Sequence, residues 1–254
     1  MVLKRVIPTL LLRNASLVKT VKFDKFQYIG DPANTVRIFN ELEVDELCFL
    51  DITATSEKRD PNYKVLSEIA SECFMPLSYG GGITNYDQAK KILGIGFEKV
   101  IINTSAFLNE NIIPEIVADY GSQSVIGSID VKIDWLGKER VVSHSSSVNT
   151  KYSCVDWVAK LEDMGVGEIL ITSVDNEGTW GGYQEKLITS VVNAASVPVI
   201  ANGGCGSLKD IDIALNKCGA QAAGVGSFVV FQKKGMGVLV NFPNRKQLDK
   251  ITNG

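Results

Sequence analysis

Val6-Ile7-Pro8-Thr9-Leu10-Leu11-Leu12 is the first apolar run of the chain, and its continuation decides between two folds. A near-continuous apolar run of this length reads as a strand buried on both faces, the habit of parallel sheets covered by helices. An open, doubly wound sheet usually carries a GxGxxG turn after its first strand. Thr9-Leu10-Leu11-Leu12 does not resemble one, so a closed barrel is expected.

Working outward, comparable runs recur at Glu46 to Ile52, Pro76 to Tyr79, Lys99 to Asn103, Ser124 to Asp130, Glu168 to Val174, Pro198 to Ala201 and Gln221 to Val225. Segments of helical period alternate with them, among them Asn62 to Ser71, Tyr86 to Leu93, Val155 to Met164 and Leu208 to Asn216. Eight βα units in 254 residues predict one (β/α)8 TIM barrel domain over residues 1–254, with an extra polar hairpin or loop at Lys132 to Ser147. The two halves also match one another. Val6 to Leu11 lies over Val125 to Asp130, Glu46-Leu47 over Glu168-Ile169, and Gly81-Gly82-Ile83 over Gly203-Gly204-Cys205, which points to a duplicated half-barrel.

Composition narrows the function. With 45% hydrophobic and 22% charged residues the chain can bury a large core, and a net charge of -3 argues against a general nucleic-acid binder. Five cysteines without a CxxC pair read as reduced core thiols; the single histidine, His144 in a serine-rich stretch, supports neither a histidine metal cluster nor a Ser-His-Asp triad. No metal site is expected. The start of the chain has no long apolar segment with a cleavage site, and no run is long enough to span a membrane, so a cytoplasmic location is expected.

Barrel chemistry belongs at the C-terminal ends of the strands. The glycine-rich ends of strands three and seven (Gly81, Gly82; Gly203, Gly204) let backbone approach a ligand closely. Hydroxyl residues after strands four and eight, Thr104 behind Asn103 and Ser227 behind Gly226, open helices whose free N–H groups attract anions. Two such cradles on opposite sides of one mouth imply a ligand with a phosphate at each end. Lys19, in the loop after strand one, can close over one of them. Asp130 ends strand five, while the matching place on strand one holds Leu11, which cannot exchange a proton. Asp51, Asp175 and Glu177 face the mouth by position, with helix capping as their alternative role. At the opposite rim, Arg5, Glu46, Lys99 and Glu168 stand at strand starts and form either a ring or a set of solvated strand ends.

Taken together these residues resemble the cyclase subunit of imidazole glycerol phosphate synthase, across nearly the whole chain. The segments carrying the likeness are Lys4 to Pro8, Asp45-Glu46-Leu47 with Phe49 to Ala54, Gly80 to Ile83, Lys99 to Thr104, Gly121-Ser122-Gln123, Ile129-Asp130, Gly167 to Ser173 and Asp175 to Thr179. The resemblance implies a barrel docked by its N-terminal face on a glutaminase subunit, ammonia passing up the axis, a bisphosphate precursor cleaved and cyclised at the top, and no metal or organic cofactor. By position it implies that Gly82, Asn103, Thr104, Gly178, Gly203, Gly226 and Ser227, with Gly81, Thr179 and Gly204 beside them, hold the phosphates. It places Lys19 in a mobile first loop, and makes Arg5, Glu46, Lys99 and Glu168 the ammonia gate. Asp130 matches one of the family's two catalytic carboxylates; Leu11 replaces the other, and Glu177 replaces an aspartate.

Pro8 to Leu12, with Tyr28-Ile29-Gly30-Asp31-Pro32, resembles a divergent branch tied to acetamidino modification of surface-polysaccharide sugars, which implies a sugar amidotransferase as a further partner. Two alternatives stand beside it: an authentic histidine-pathway cyclase using Asp130 with Asp51 or Glu177, and a non-catalytic module that binds a phosphorylated ligand.

Overall fold

The computed structural model describes residues 4–143 and 148–252; His144 and the serines beside it lie outside them. Eight parallel strands close on themselves: β1 (Arg5–Arg13), β4 (Leu47–Asp51), β5 (Leu77–Gly80), β6 (Lys99–Ile102), β7 (Val125–Ile133), β10 (Glu168–Ser173), β11 (Val199–Asn202) and β12 (Ala222–Val225). Neighbours pair in the order β10-β11-β12-β1-β4-β5-β6-β7, and β7 pairs with β10 to seal the cylinder. This is the expected (β/α)8 barrel. The strands not on this circuit are antiparallel additions. β2 (Ser16–Val21) and β3 (Asp24–Gly30) form a hairpin on the end of β1, and β8 (Glu139–Ser143) with β9 (Val148–Asn149) extends β7. The second addition begins in the polar stretch expected after strand five. The first was expected to be loop.

The connecting helices are α1 (Pro32–Glu41), α2 (Tyr63–Glu72), α3 (Tyr86–Ile95), the short α4 (Thr104–Leu108), α5 (Ile112–Tyr120), α6 (Cys154–Met164), α7 (Glu185–Ala194), α8 (Leu208–Asp212), the short α9 (Ser227–Val230) and α10 (Arg245–Thr252). Their starts follow from local chemistry. Asn62, Asn85 and Ser153 each accept a hydrogen bond from the N–H three residues on, at 3.3, 3.0 and 3.1 Å, satisfying a donor the helix leaves open.

Strand alternation sorts the barrel into two cores. On β1, Val6, Leu10 and Leu12 face outward into the layer that also buries Phe39, Leu66, Ile92, Trp157 and Ile188 from the helices. The alternate residues point to the axis, where Ile7, Cys48, Ile101, Ile126, Leu170, Ile200 and Ala222 form a separate inner cluster. The five cysteines are free thiols, four of them buried. Among the described residues no helix is long and apolar enough to cross a membrane.

Candidate functional site

The inner cluster divides the axis into a base and a mouth. One step below it, Arg5 donates to Glu46 at 2.7 Å and to Glu168 at 2.9 Å, and Lys99 donates to Glu168 at 2.6 Å and approaches Glu46 at 3.6 Å. The four side chains, drawn from β1, β6, β10 and the residue before β4, therefore close into one alternating ring rather than lying as separate solvated ends. Burial opposes the negative charge of Glu168, yet its hydrogen bonds and attraction to Arg5 and Lys99 prevail and hold its carboxyl below the ordinary range.

One step above the cluster the inward residues turn polar: Thr9, Asn103, Ser128, Thr172 and Asn202, with Leu50, Gly80 and Gly224 between them. They floor a cavity of about 710 Å³ that opens at the C-terminal strand ends. The strand order sets its plan. β1 lies opposite β7, so Leu11 and Asp130, both lining the cavity, face each other across it. Leu11 is buried and in register with Leu50. Asp130 Oδ2 accepts from Asn103 Nδ2 at 2.8 Å, and burial pushes its carboxyl up to about 7 against the opposing pull of hydrogen bonds from Asn103 and Thr172.

At right angles to that line stand the two glycine-rich ends. Gly81 and Gly203 both have positive φ, and a Cβ on either would strike the carbonyl oxygen closing the preceding strand, at 2.4 Å from Asp51 and 2.6 Å from Ser173. The halves repeat again one strand later. Asn103 (φ -124, ψ -93) and Gly226 (φ -110, ψ -92) share the same unusual backbone just before the first turns of α4 and α9. Gly81, Gly82, Asn103 and Thr104 thus gather on one side of the mouth, and Gly203, Gly204, Gly226 and Ser227 on the other. Asn103 adds something its sequence position did not announce. Its side chain turns to the axis, and its Oδ1 is buried with no hydrogen-bond partner among the described residues.

The remaining expected residues separate. Lys19 lies on strand β2, not in a loop, and its ammonium sits 3.0 Å from Glu177 Oε1; a Cβ on Gly226 would come within 2.8 Å of Lys19 Nζ, which places that charge beside the second glycine side. Glu177 also accepts from Phe23 N at 3.2 Å, so its carboxylate clamps the β2–β3 hairpin. Gly178 (φ +71) owes its glycine to that clamp, since a Cβ would fall 2.1 Å from the carbonyl of Thr20.

Asp51 stands one residue off the inward face of β4. Its Oδ1 accepts from the amides of Thr53 and Ala54 and from Arg59 at 2.7 Å, bracing the following loop. Two placements are corrected. Asp175 turns away to accept from Ile133 N at 2.7 Å, and Thr179 spends its hydroxyl on Asn176 O at 2.7 Å within its own turn; neither lines the cavity.

A closed barrel with a charged ring at its base, and with two matched glycine-and-helix ends flanking a polar mouth, defines a phosphate-site barrel built from two similar halves. Comparison with known proteins makes this specific. Residues 5–234 match the family model described as "Histidine biosynthesis protein". The chain is 45% identical over 249 residues to a Pseudomonas aeruginosa protein named "Putative imidazole glycerol phosphate synthase subunit hisF2", covering 98% of this chain and 99% of that one. It is 40% identical to a Leptospira interrogans protein named "Putative imidazole glycerol phosphate synthase subunit HisF", covering 97% and 98%. It is 39% identical to the Lactococcus lactis subsp. cremoris "Imidazole glycerol phosphate synthase subunit HisF", covering 88% and 86%. The chain belongs to the histidine biosynthesis protein family, within its HisF-like imidazole glycerol phosphate synthase cyclase barrels.

Proposed function

We propose that the chain is the synthase subunit of a glutamine-dependent amidotransferase, and that it delivers ammonia for acetamidino modification of a nucleotide-activated sugar in surface-polysaccharide assembly. A glutaminase docks over the ring of Arg5, Glu46, Lys99 and Glu168. Neutral ammonia crosses the inner apolar layer, whose smallest side chains, Cys48, Ser78 and Ala222, leave the narrowest packing on one side of the axis. A phosphorylated ligand spans the mouth between the two glycine sides, with Lys19 over one of them, and a sugar amidotransferase receives the ammonia. No metal or organic cofactor takes part.

One observation carries this reading. Among the described residues, Asp130 is the one carboxylate on the inward faces of the barrel strands at the mouth, and the position facing it is the buried, apolar Leu11. Asp51 and Glu177, the substitutes an ordinary cyclase reaction would need, are held by Arg59 and Lys19. A carboxyl poised near neutrality can take a proton from an attacking amine or return one, but it cannot serve as acid and base on two faces at once. Loss of one such partner costs about 10²- to 10⁴-fold in rate.

The retained Asp130 and the paired phosphate sides favour a second reading, a cyclase of histidine biosynthesis working with a single carboxylate. Purified protein supplied with excess ammonium salt and the family's phosphoribulosyl-formimino aminoimidazole carboxamide substrate separates the two. The proposal expects no imidazole glycerol phosphate, together with a glutaminase that binds the wild type and is released by Arg5→Glu. Product at an ordinary cyclase rate, or no glutaminase bound at the ring face, would overturn it.

A further inference from the structure

β1 carries one inward residue beyond Leu11. Arg13 lines the same cavity, and its guanidinium carbon lies 3.5 Å from the centroid of the Phe26 ring on β3. A guanidinium stacked on a ring directs its N–H donors sideways, and Arg13 Nε is buried without a hydrogen-bond partner among the described residues. The carboxylate that feels its charge, Glu57, is occupied at 2.7 Å by Arg59. A desolvated cationic donor left open is costly, and an oxyanion arriving from the cavity removes the cost.

Position identifies that oxyanion. β1 sits midway around the barrel between the β11/β12 side and the β5/β6 side, so a ligand stretched from one glycine side to the other passes Arg13 near its middle. We propose that Arg13, held flat by Phe26, is a third anion subsite of the mouth and takes a carboxylate borne between the two terminal phosphates of the ligand. The rigid guanidinium fork matches the two oxygens of a planar carboxylate, while the glycine ends offer backbone N–H groups suited to phosphate. This inference rests on the proposed ligand site and adds the central acidic group to the ligand class.

Calorimetry with two probes tests it: ribulose 1,5-bisphosphate, which lacks a carboxylate, and 2-carboxyarabinitol 1,5-bisphosphate, which has one. Wild type is expected to bind the carboxylated probe about 10- to 100-fold more tightly. Arg13→Gln erases that preference with little change toward ribulose 1,5-bisphosphate, and Arg13→Lys, which keeps charge without the fork, falls between; a melting curve of each variant confirms that it is folded. Equal affinities in the wild type, or a preference that survives Arg13→Gln, overturns the subsite. Should neither bisphosphate bind, the two-phosphate reading fails by itself, and the subsite is judged on free malonate. Weak malonate binding abolished by Arg13→Gln supports it, and malonate binding that is absent or unchanged in the variant overturns it.

Discussion

Glu168→Gln opens the ring at the base while keeping side-chain shape, and its cost follows from the contacts. Glu168 receives Arg5 at 2.9 Å and Lys99 at 2.6 Å, with side chains only 12%, 21% and 15% exposed. Breaking a buried ion pair from one side costs about 3–5 kcal/mol when the remaining charge is stranded. Arg5 is not stranded, because Glu46 still holds it at 2.7 Å, and Lys99 keeps a longer approach to the same carboxylate at 3.6 Å. We therefore expect about 1–3 kcal/mol, less than the full one-sided loss. At about 2–4 °C per kcal/mol for a chain of this size, the melting temperature should fall by about 3–10 °C.

The pH dependence has a definite sign. The Glu168 carboxyl is held below its ordinary value in the folded protein, so its stabilisation is complete above the unfolded glutamate value near about 4.3 and disappears as pH falls through the lower folded value. Urea unfolding of wild type and variant should show a gap at pH 7 that narrows below about pH 4. Equal midpoints at pH 7, or a gap that does not change with acid, would refute the ring as a mutually supporting unit.

Three further outcomes are expected. Leu11→Asp restores a carboxylate opposite Asp130 and should create ammonium-dependent cyclase turnover absent from wild type, by about 10²- to 10⁴-fold over background; a folded variant that stays silent would show that more than this position has diverged. Burial raises the Asp130 carboxyl to about 7, so the folded state binds a proton more tightly than the unfolded chain and stability drains away as pH rises from about 4 to about 7. Asp130→Asn should then raise the melting temperature more at pH 8 than at pH 5, and the opposite order would contradict the shift. Gly178→Ala must relieve a 2.1 Å approach to Thr20 O at positive φ, costing about 1–3 kcal/mol and loosening the β2–β3 hairpin; limited proteolysis between Val21 and Asp24 reads this out, and unchanged protection would count against the contact.

Much of the site was legible in the chain because strand alternation is a local property. Arg5, Ile7, Thr9, Leu11 and Arg13 share one face of β1 by period two, so a charge at the base, an apolar layer, a polar step and the missing carboxylate can be read in order from one strand. The repeated halves carried the rest, and the strand positions expected from apolar runs agree with those observed to within two residues except at the end of β7, which continues to Ile133. The β2–β3 hairpin escaped notice because Phe26 and Tyr28 are exposed and its strands show no buried alternation.

By itself, then, the sequence determined the barrel, its duplication, and which side chains point to the axis, since each depends on hydrophobic period along a single segment. Only the tertiary structure decided which charges meet. Arg5 and Glu168 are separated by 163 residues and Lys19 and Glu177 by 158, yet each pair closes to a hydrogen bond. The same holds for Asp51, removed from the mouth by Arg59, and for Asp130, raised toward neutrality by burial. Charge in a protein is set by what surrounds it in three dimensions, and that surrounding is assembled from strands that no local pattern brings together.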